Sequence, residues 1–218
     1  MFWVLLLAHF LADYPFQPTW MVRNKTEVGV LSLHAGIHFG IMLALTWPGL
    51  SLIWPYLLLL TCIHFLTDAG KNWFTVNRPS WSTGSYLIDQ VLHILAIGLV
   101  VAWMGPINNA VHLPIHKTLI VYALGFLLVT YVWLISEHVL WRSDADLRNP
   151  DLIRQDWSRL FIRGGLLAVV LIGWHTVSSG SFSLILPLPY TSGKGMRGLW
   201  IDILVVLAIA GLVIVVNG

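Results

Sequence analysis

The sequence predicts an all-α polytopic membrane protein with about seven transmembrane helices, on three observations. Of its 218 residues, 57% are hydrophobic and 10% charged, where a soluble domain carries about 25% charged residues. The mean hydropathy is +0.79. Long stretches such as 199–216 are uncharged apart from Asp202, the pattern of a helix that crosses a bilayer. No segment is polar enough to form a soluble domain. The reading is therefore a single transmembrane domain over 1–218. Residues 1–104 form a tandem repeat of two helical hairpins, and 105–218 add three further helices.

Helices are expected at about 1–14, 30–47, 51–69, 85–104, 118–140, 160–180 and 196–217. Pro15 and Pro18 stop the first, because proline lacks the N–H and clashes with the preceding turn. The first helix falls short of the ~20 residues that span a bilayer. Its opening Met1-Phe2-Trp3 lacks the basic start of a signal peptide, so it reads as a retained helix. Trp47-Pro48-Gly49 turns the chain between helices two and three, making them antiparallel neighbours. Asn77-Arg78-Pro79 separates helices three and four, and Gly105-Pro106 ends helix four. The segment 180–190 is apolar with two prolines and reads as re-entrant or extracytoplasmic.

Orientation follows from the basic residues. Loops one, three and five carry Arg23, Lys25, Lys71, Arg78, Arg142, Arg148, Arg154 and Arg159, against Lys117, Lys194 and Arg197 in the others; Arg163 lies inside helix six. The positive-inside rule places the first set in the cytoplasm and the N-terminus outside. The net charge of +2 is dispersed, with no basic cluster of the kind that binds nucleic acid. Cys62, the single cysteine, leaves no internal disulfide and no cysteine-rich metal or iron–sulfur site.

Within this frame four polar pairs recur with i,i+4 spacing: His9/Asp13, His34/His38, His64/Asp68 and Asp89/His93. Each residue of the first two pairs maps onto the last two at a constant offset of 55 positions. That offset makes helices 1–2 and 3–4 parallel repeats about an axis along the membrane normal. All eight side chains then fall in one layer, in the inner third of the bilayer. Ionisable residues there are costly and are functional by default. Glu137 and His138 are placed near the same layer. The loop 143–158 reads as a solvated connection. His112 and His116 flank Pro114 in an outer loop and read as non-ligands, and His175 and Asp202 as structural.

Residues i and i+4 share one helix face about 6 Å apart, so each pair can offer two donors to one ion. Five imidazoles and three carboxylates suit one or two divalent transition metal ions, Zn, Mn or Fe. Eight donors exceed one closed zinc site, leaving room for a second metal or for Asp–His hydrogen bonds around the first. A metal-free proton or ion path and a structural polar network remain as alternatives. Haem fits poorly, since the pairs are four residues apart and occupy one leaflet.

At these residues the chain resembles a bacterial integral-membrane family known as domain of unknown function 3307. The matching text is His9-Phe-Leu-Ala-Asp13-Tyr-Pro-Phe-Gln17, Lys25, Leu33-His34-Ala-Gly-Ile-His38, His64-Phe-Leu-Thr-Asp68 with Lys71, and Leu87-Ile-Asp89-Gln90-Val-Leu-His93. It covers about residues 5–95. The resemblance implies location in the bacterial inner membrane and no particular activity. A looser analogy is to membrane metal-dependent hydrolases that gather His and Asp at cytoplasmic helix ends.

Three functions follow as expectations. The first is a metal-dependent hydrolase acting on a membrane lipid or lipid-linked substrate at the cytoplasmic leaflet. In it Asp68, read as the solvent-accessible end of helix three, is the general base, and Lys71 meets a phosphate or carbonyl oxygen. The second is a divalent-metal or proton transporter. The third is an accessory subunit of a membrane complex. Assembly into such a complex or a homo-oligomer stays open.

Overall fold

A computed structural model describes residues 1–111, 113, 115–141, 157–178 and 195–217. The connection at 142–156, the segment 180–190, His112, and the side chains of His138 and His175 lie outside the described residues. All regular structure among the described residues is helical. Among the described residues, four helical stretches are long and apolar enough to cross a membrane: Val28–Asn77, Pro79–Met104, Lys117–Glu137 and Trp200–Asn217. The chain is thus compatible with membrane integration. Where the sequence divides the chain at 104/105, its helices group into two compact units, Met1–Ile120 and Val121–Gly218.

The first unit begins with α1 (Phe2–Asp13), apolar and short, followed by α2 (Thr19–Asn24), whose N-cap is Pro18. Next come α3 (Val28–Thr46), a 3-10 turn at Trp47–Gly49, and α4 (Leu50–Asn77), which together make up the 50-residue apolar stretch. A second 3-10 turn, Pro79–Trp81, leads into α5 (Ser82–Met104). Gly105 closes α5 at φ +51°, a conformation that costs glycine little because it has no Cβ. The short α6 (Pro106–Ala110) follows.

Helices α1, α3, α4 and α5 pack in a closed ring, α1 touching α3 and α5, and α4 lying between α3 and α5. One half of the interior is apolar, built from Leu5, Met42, Ile53, Leu57, Ile97 and Met104; the other half is polar. Large apolar side chains such as Leu58, Leu66, Leu95 and Leu99 face outward, as expected where the solvent is lipid. Trp47, Trp54 and Trp103 are exposed at one end of the helices, and Trp20, Trp73 and Trp81 at the other.

The main departure from the expected elements is α4. The sequence stops this helix near residue 69, at Gly70-Lys71-Asn72, but it runs on to Asn77. The added turns are held from outside the helix. Asn72 Nδ2 donates to the Lys25 carbonyl at 2.9 Å, and the Thr75 and Ser85 hydroxyls hydrogen-bond at 2.9 Å. Tertiary bonds override a local stop signal here.

The boundary between the units falls within α7 (Lys117–Leu127), which passes into a π-helical turn (Leu128–Val132) and α8 (Trp133–Trp141). Then come α9 (Trp157–Ser178) and α10 (Gly195–Asn217). The π turn packs against α9 and α10. A Cβ at Gly125 would stand 2.7 Å from Val213 Cγ2, so glycine is what lets these helices approach closely.

Candidate metal centre

All eight residues of the four i,i+4 pairs point into the ring. Each helix supplies one pair: His9 and Asp13 from α1, His34 and His38 from α3, His64 and Asp68 from α4, Asp89 and His93 from α5. Every one of the five histidines is buried, as are Asp68 and Asp89. His38 and His64 lie ring over ring with centroids 3.6 Å apart, and His64 and His93 at 4.3 Å. His9 stacks on His93 at 4.9 Å.

The carboxylates lie along one side of this imidazole cluster. Asp13 Oδ1 is 3.1 Å from His34 Nε2 and 3.0 Å from His38 Nε2, and Asp13 Oδ2 is 3.5 Å from His9 Nε2. Asp68 Oδ2 is 3.6 Å from His34 Nε2 and 3.7 Å from His64 Nε2. Two groups of potential ligands result, Asp13/His34/His38/His64 and His64/Asp68/His93, with the atoms of each within 4.8 Å of one another. Ligands about 2.1 Å from a shared tetrahedral zinc stand roughly 3.4 Å apart, so a shared ion would draw the more distant of these atoms closer.

The hydrogen bonds around the imidazoles favour the same reading. His93 Nδ1 is 2.8 Å from the Asp89 backbone carbonyl, which can only accept, so Nδ1 carries the proton. Its Nε2 then presents a lone pair to the interior and has no hydrogen-bond partner. Gln17, with its amide oxygen turned toward Lys25, accepts from Lys25 Nζ at 2.5 Å and donates to the Asp13 carbonyl at 2.9 Å. That oxygen is 3.3 Å from His34 Nδ1. His34 Nε2 in turn meets Asp13 Oδ1 at 3.1 Å. Outer hydrogen bonds that fix an imidazole tautomer, as at His93, are the usual surround of a metal ligand. His9 Nε2 and both nitrogens of His64 are likewise buried without a partner. A buried polar atom in that state is costly unless something fills its valence.

Two lysines complete the polar half. Lys25 Nζ donates to Asp68 Oδ2 at 2.7 Å. Lys71 Nζ donates to Asp68 Oδ1 at 2.8 Å and Asp89 Oδ2 at 2.9 Å. The sequence reading of Asp68 as an accessible helix end therefore needs correction. Asp68 is 1% exposed, nine residues short of the end of α4, with an ammonium group on each oxygen. Lys71, read as a loop residue, lies within α4. Lys25, Lys71 and Arg159 are all held in ion pairs, so three of the charges used to orient the chain are not free loop charges.

A second polar cluster, inside the second unit, was missed by sequence reasoning. Arg159 and Arg163 on α9 converge on Asp202 of α10 and Glu137 of α8. Arg163 Nη2 is 2.5 Å from Asp202 Oδ1 and 3.0 Å from Glu137 Oε2, and Arg159 Nη2 is 2.9 Å from Asp202 Oδ1. All four are buried, and Arg163 fully so. Glu137 and Asp202 thus pair with arginines, whereas the sequence assigned one to the His/Asp layer and the other to a separate structural role. The available signal was the i,i+4 spacing of the arginines, which left an apolar helix with two charges to neutralise.

One family model matches the chain, over residues 1–122, and describes a protein of unknown function (DUF3307). No match was found among curated proteins or among solved structures. The matched region contains the whole His/Asp cluster and both lysines; the arginine cluster lies beyond it.

Proposed function

The chain belongs to the DUF3307 family of proteins of unknown function, and from the geometry of its residues we propose a membrane-embedded, metal-dependent hydrolase. The observation that carries this reading is the gathering of five buried imidazoles, three of them (His9, His64 and His93) with nitrogens that lack a hydrogen-bond partner, around the carboxylates of Asp13 and Asp68. The centre would hold one or two divalent ions, Zn, Mn or Fe, with His34, His38, His64 and Asp13 as one ligand set and His64, His93 and Asp68 as the other. Such an ion supplies Lewis acidity and brings the pKa of water toward neutrality.

The chain's own residues take the remaining roles. Lys25 and Lys71 fix Asp68 and orient it toward His34 and His64. Asp89 is the proton acceptor we assign, since its Oδ1 has no hydrogen-bond partner and its Oδ2 is anchored by Lys71. The substrate is a lipid or lipid-linked ester, amide or phosphoester. We place seven spans in the membrane: α1, α3, α4, α5, the rod from α7 to α8, α9 and α10, with the N-terminus outside. The similar separations His9–Asp13 (3.5 Å) and His64–Asp68 (3.7 Å) support the paired-hairpin repeat.

Transport is the weaker reading because a transporter needs polar groups leading to both faces. One side of the imidazole cluster is closed by Leu5, Met42, Leu60, Ile63 and Ile97. The test compares the lipids of cells making wild-type protein with those making Asp89→Asn. A lipid species or released headgroup should differ between them. If both proteins reach the same level and bind the same metal, yet no lipid differs, the hydrolase reading fails.

A further inference from the structure

A cavity of about 450 Å³ opens between α4 and α5 beside the polar half of the ring, within the size range of small-molecule sites. Its walls are two facing helical stripes. Leu66, Gly70 and Phe74 recur every four residues on α4; Ser85, Ile88, Asp89 and Leu92 follow helical spacing on α5. Leu66, Ile88 and Leu92 are well exposed on the outer surface, so the groove opens sideways, toward lipid. Gly70 makes the notch: a Cβ there would meet nothing within 4 Å. Glycine inside a helix costs up to about 1 kcal/mol relative to alanine, and no close helix contact at this position requires it.

The floor of the groove is polar and belongs to the proposed centre. Lys71 and Asp89 line it. Two of the three ammonium donors of Lys71 are used, on Asp68 and Asp89, leaving a third. With neutral imidazoles, Lys25 and Lys71 against Asp13, Asp68 and Asp89 leave one negative charge. A divalent ion turns this into one positive charge, complementary to an anionic headgroup.

We propose that this groove is the binding site for one acyl chain of an anionic phospholipid, with its phosphate at Lys71 and its chain along Gly70, Leu66, Ile88 and Leu92. The proposal rests on the metal-centre reading for the sign of the headgroup, and on the groove's own shape for the chain. It gives the hydrolase a substrate that enters from the bilayer rather than from water.

The experiment uses the full chain in phosphatidylcholine vesicles containing a small fraction of phosphatidylglycerol with a photoactivatable diazirine in one acyl chain. Adducts are mapped by mass spectrometry, and metal content is measured on the same sample. Labelling at Leu66, Ile88 and Leu92 should exceed that at Leu58 and Leu99, exposed on the same helices, by about tenfold, as for a preference of about 1.4 kcal/mol. Gly70→Leu should abolish the excess and leave Leu58, Leu99 and metal content unchanged. Ile88→Trp, which fills the groove from the other wall, serves the same purpose should Gly70→Leu fold poorly. Even labelling of all exposed positions, or an excess that survives both variants, overturns the groove. Equal enrichment by a diazirine phosphatidylcholine overturns the anionic head. Metal-free protein that still enriches label in the groove would remove the hydrolase reading and leave the groove standing; metal-loaded protein with even labelling would do the reverse.

Discussion

Lys25 and Asp68, 43 residues apart, are joined by a 2.7 Å ion pair in which the carboxylate is 1% and the lysine 9% exposed. The bond ties the segment between α2 and α3 to the middle of α4. Removing one partner of a buried pair is costly because the other charge stays behind in a poor solvent. Lys71 shares the carboxylate, so the loss is moderated. Lys25→Met should destabilise the protein by about 3 kcal/mol, and adding Asp68→Asn should recover part of that, a coupling that a double-mutant cycle reads directly. Unfolding followed in detergent micelles checks it; a Lys25→Met midpoint equal to wild type would mean the pair contributes nothing.

His64 belongs to both potential ligand groups. Its variants should therefore differ from those of its neighbours. His38→Ala should weaken binding in the group around Asp13, and His93→Ala in the group around Asp68, each by about 10–100-fold. His64→Ala should weaken both. Elemental analysis of purified proteins gives the stoichiometry. If His64→Ala and His93→Ala leave the same metal content, the two groups do not act as separate sites.

In the second unit, Asp202 accepts from both arginines and Glu137 meets both at 3.0 and 3.1 Å. Asp202→Asn should cost about 3–5 kcal/mol, the range for breaking a buried ionic network. Glu137→Gln should cost less, because Asp202 keeps the shorter contact to each guanidinium. Thermal unfolding of the purified variants ranks the two, and the opposite order would contradict the geometry.

The His/Asp cluster was legible in the sequence because its information is local. An i,i+4 pair fixes a face without knowledge of the fold, and the repeated offset suggests which faces meet. Lys25 and Lys71 were not legible as parts of the centre. Their partners lie on other elements, and on local pattern they read as loop charges. The end of α4 was misplaced for the same reason: Gly70-Lys71-Asn72 carries a stop signal that the bonds of Asn72 and Thr75 override. Asp202 sits in an apolar run without a local partner, and only α9, 39 residues earlier, explains it.

In a bilayer, the exposed tryptophans would set a depth scale for the first unit. Nineteen residues of α4 separate Trp54 from Trp73, about 29 Å at 1.5 Å per residue, close to the ~30 Å hydrocarbon thickness of a bilayer. Tryptophan favours the two boundaries of that slab, so in a bilayer these rings would act as girdles. Measured from Trp73, Lys71 lies about 3 Å deep, Asp68 about 7 Å and His64 about 14 Å. On that scale the ammonium would stand near one boundary, Asp68 one to two turns below it and His64 deeper still. Polarity is graded along the axis of α4, and a thinner bilayer would bring the wet boundary toward the imidazoles without moving a single helix.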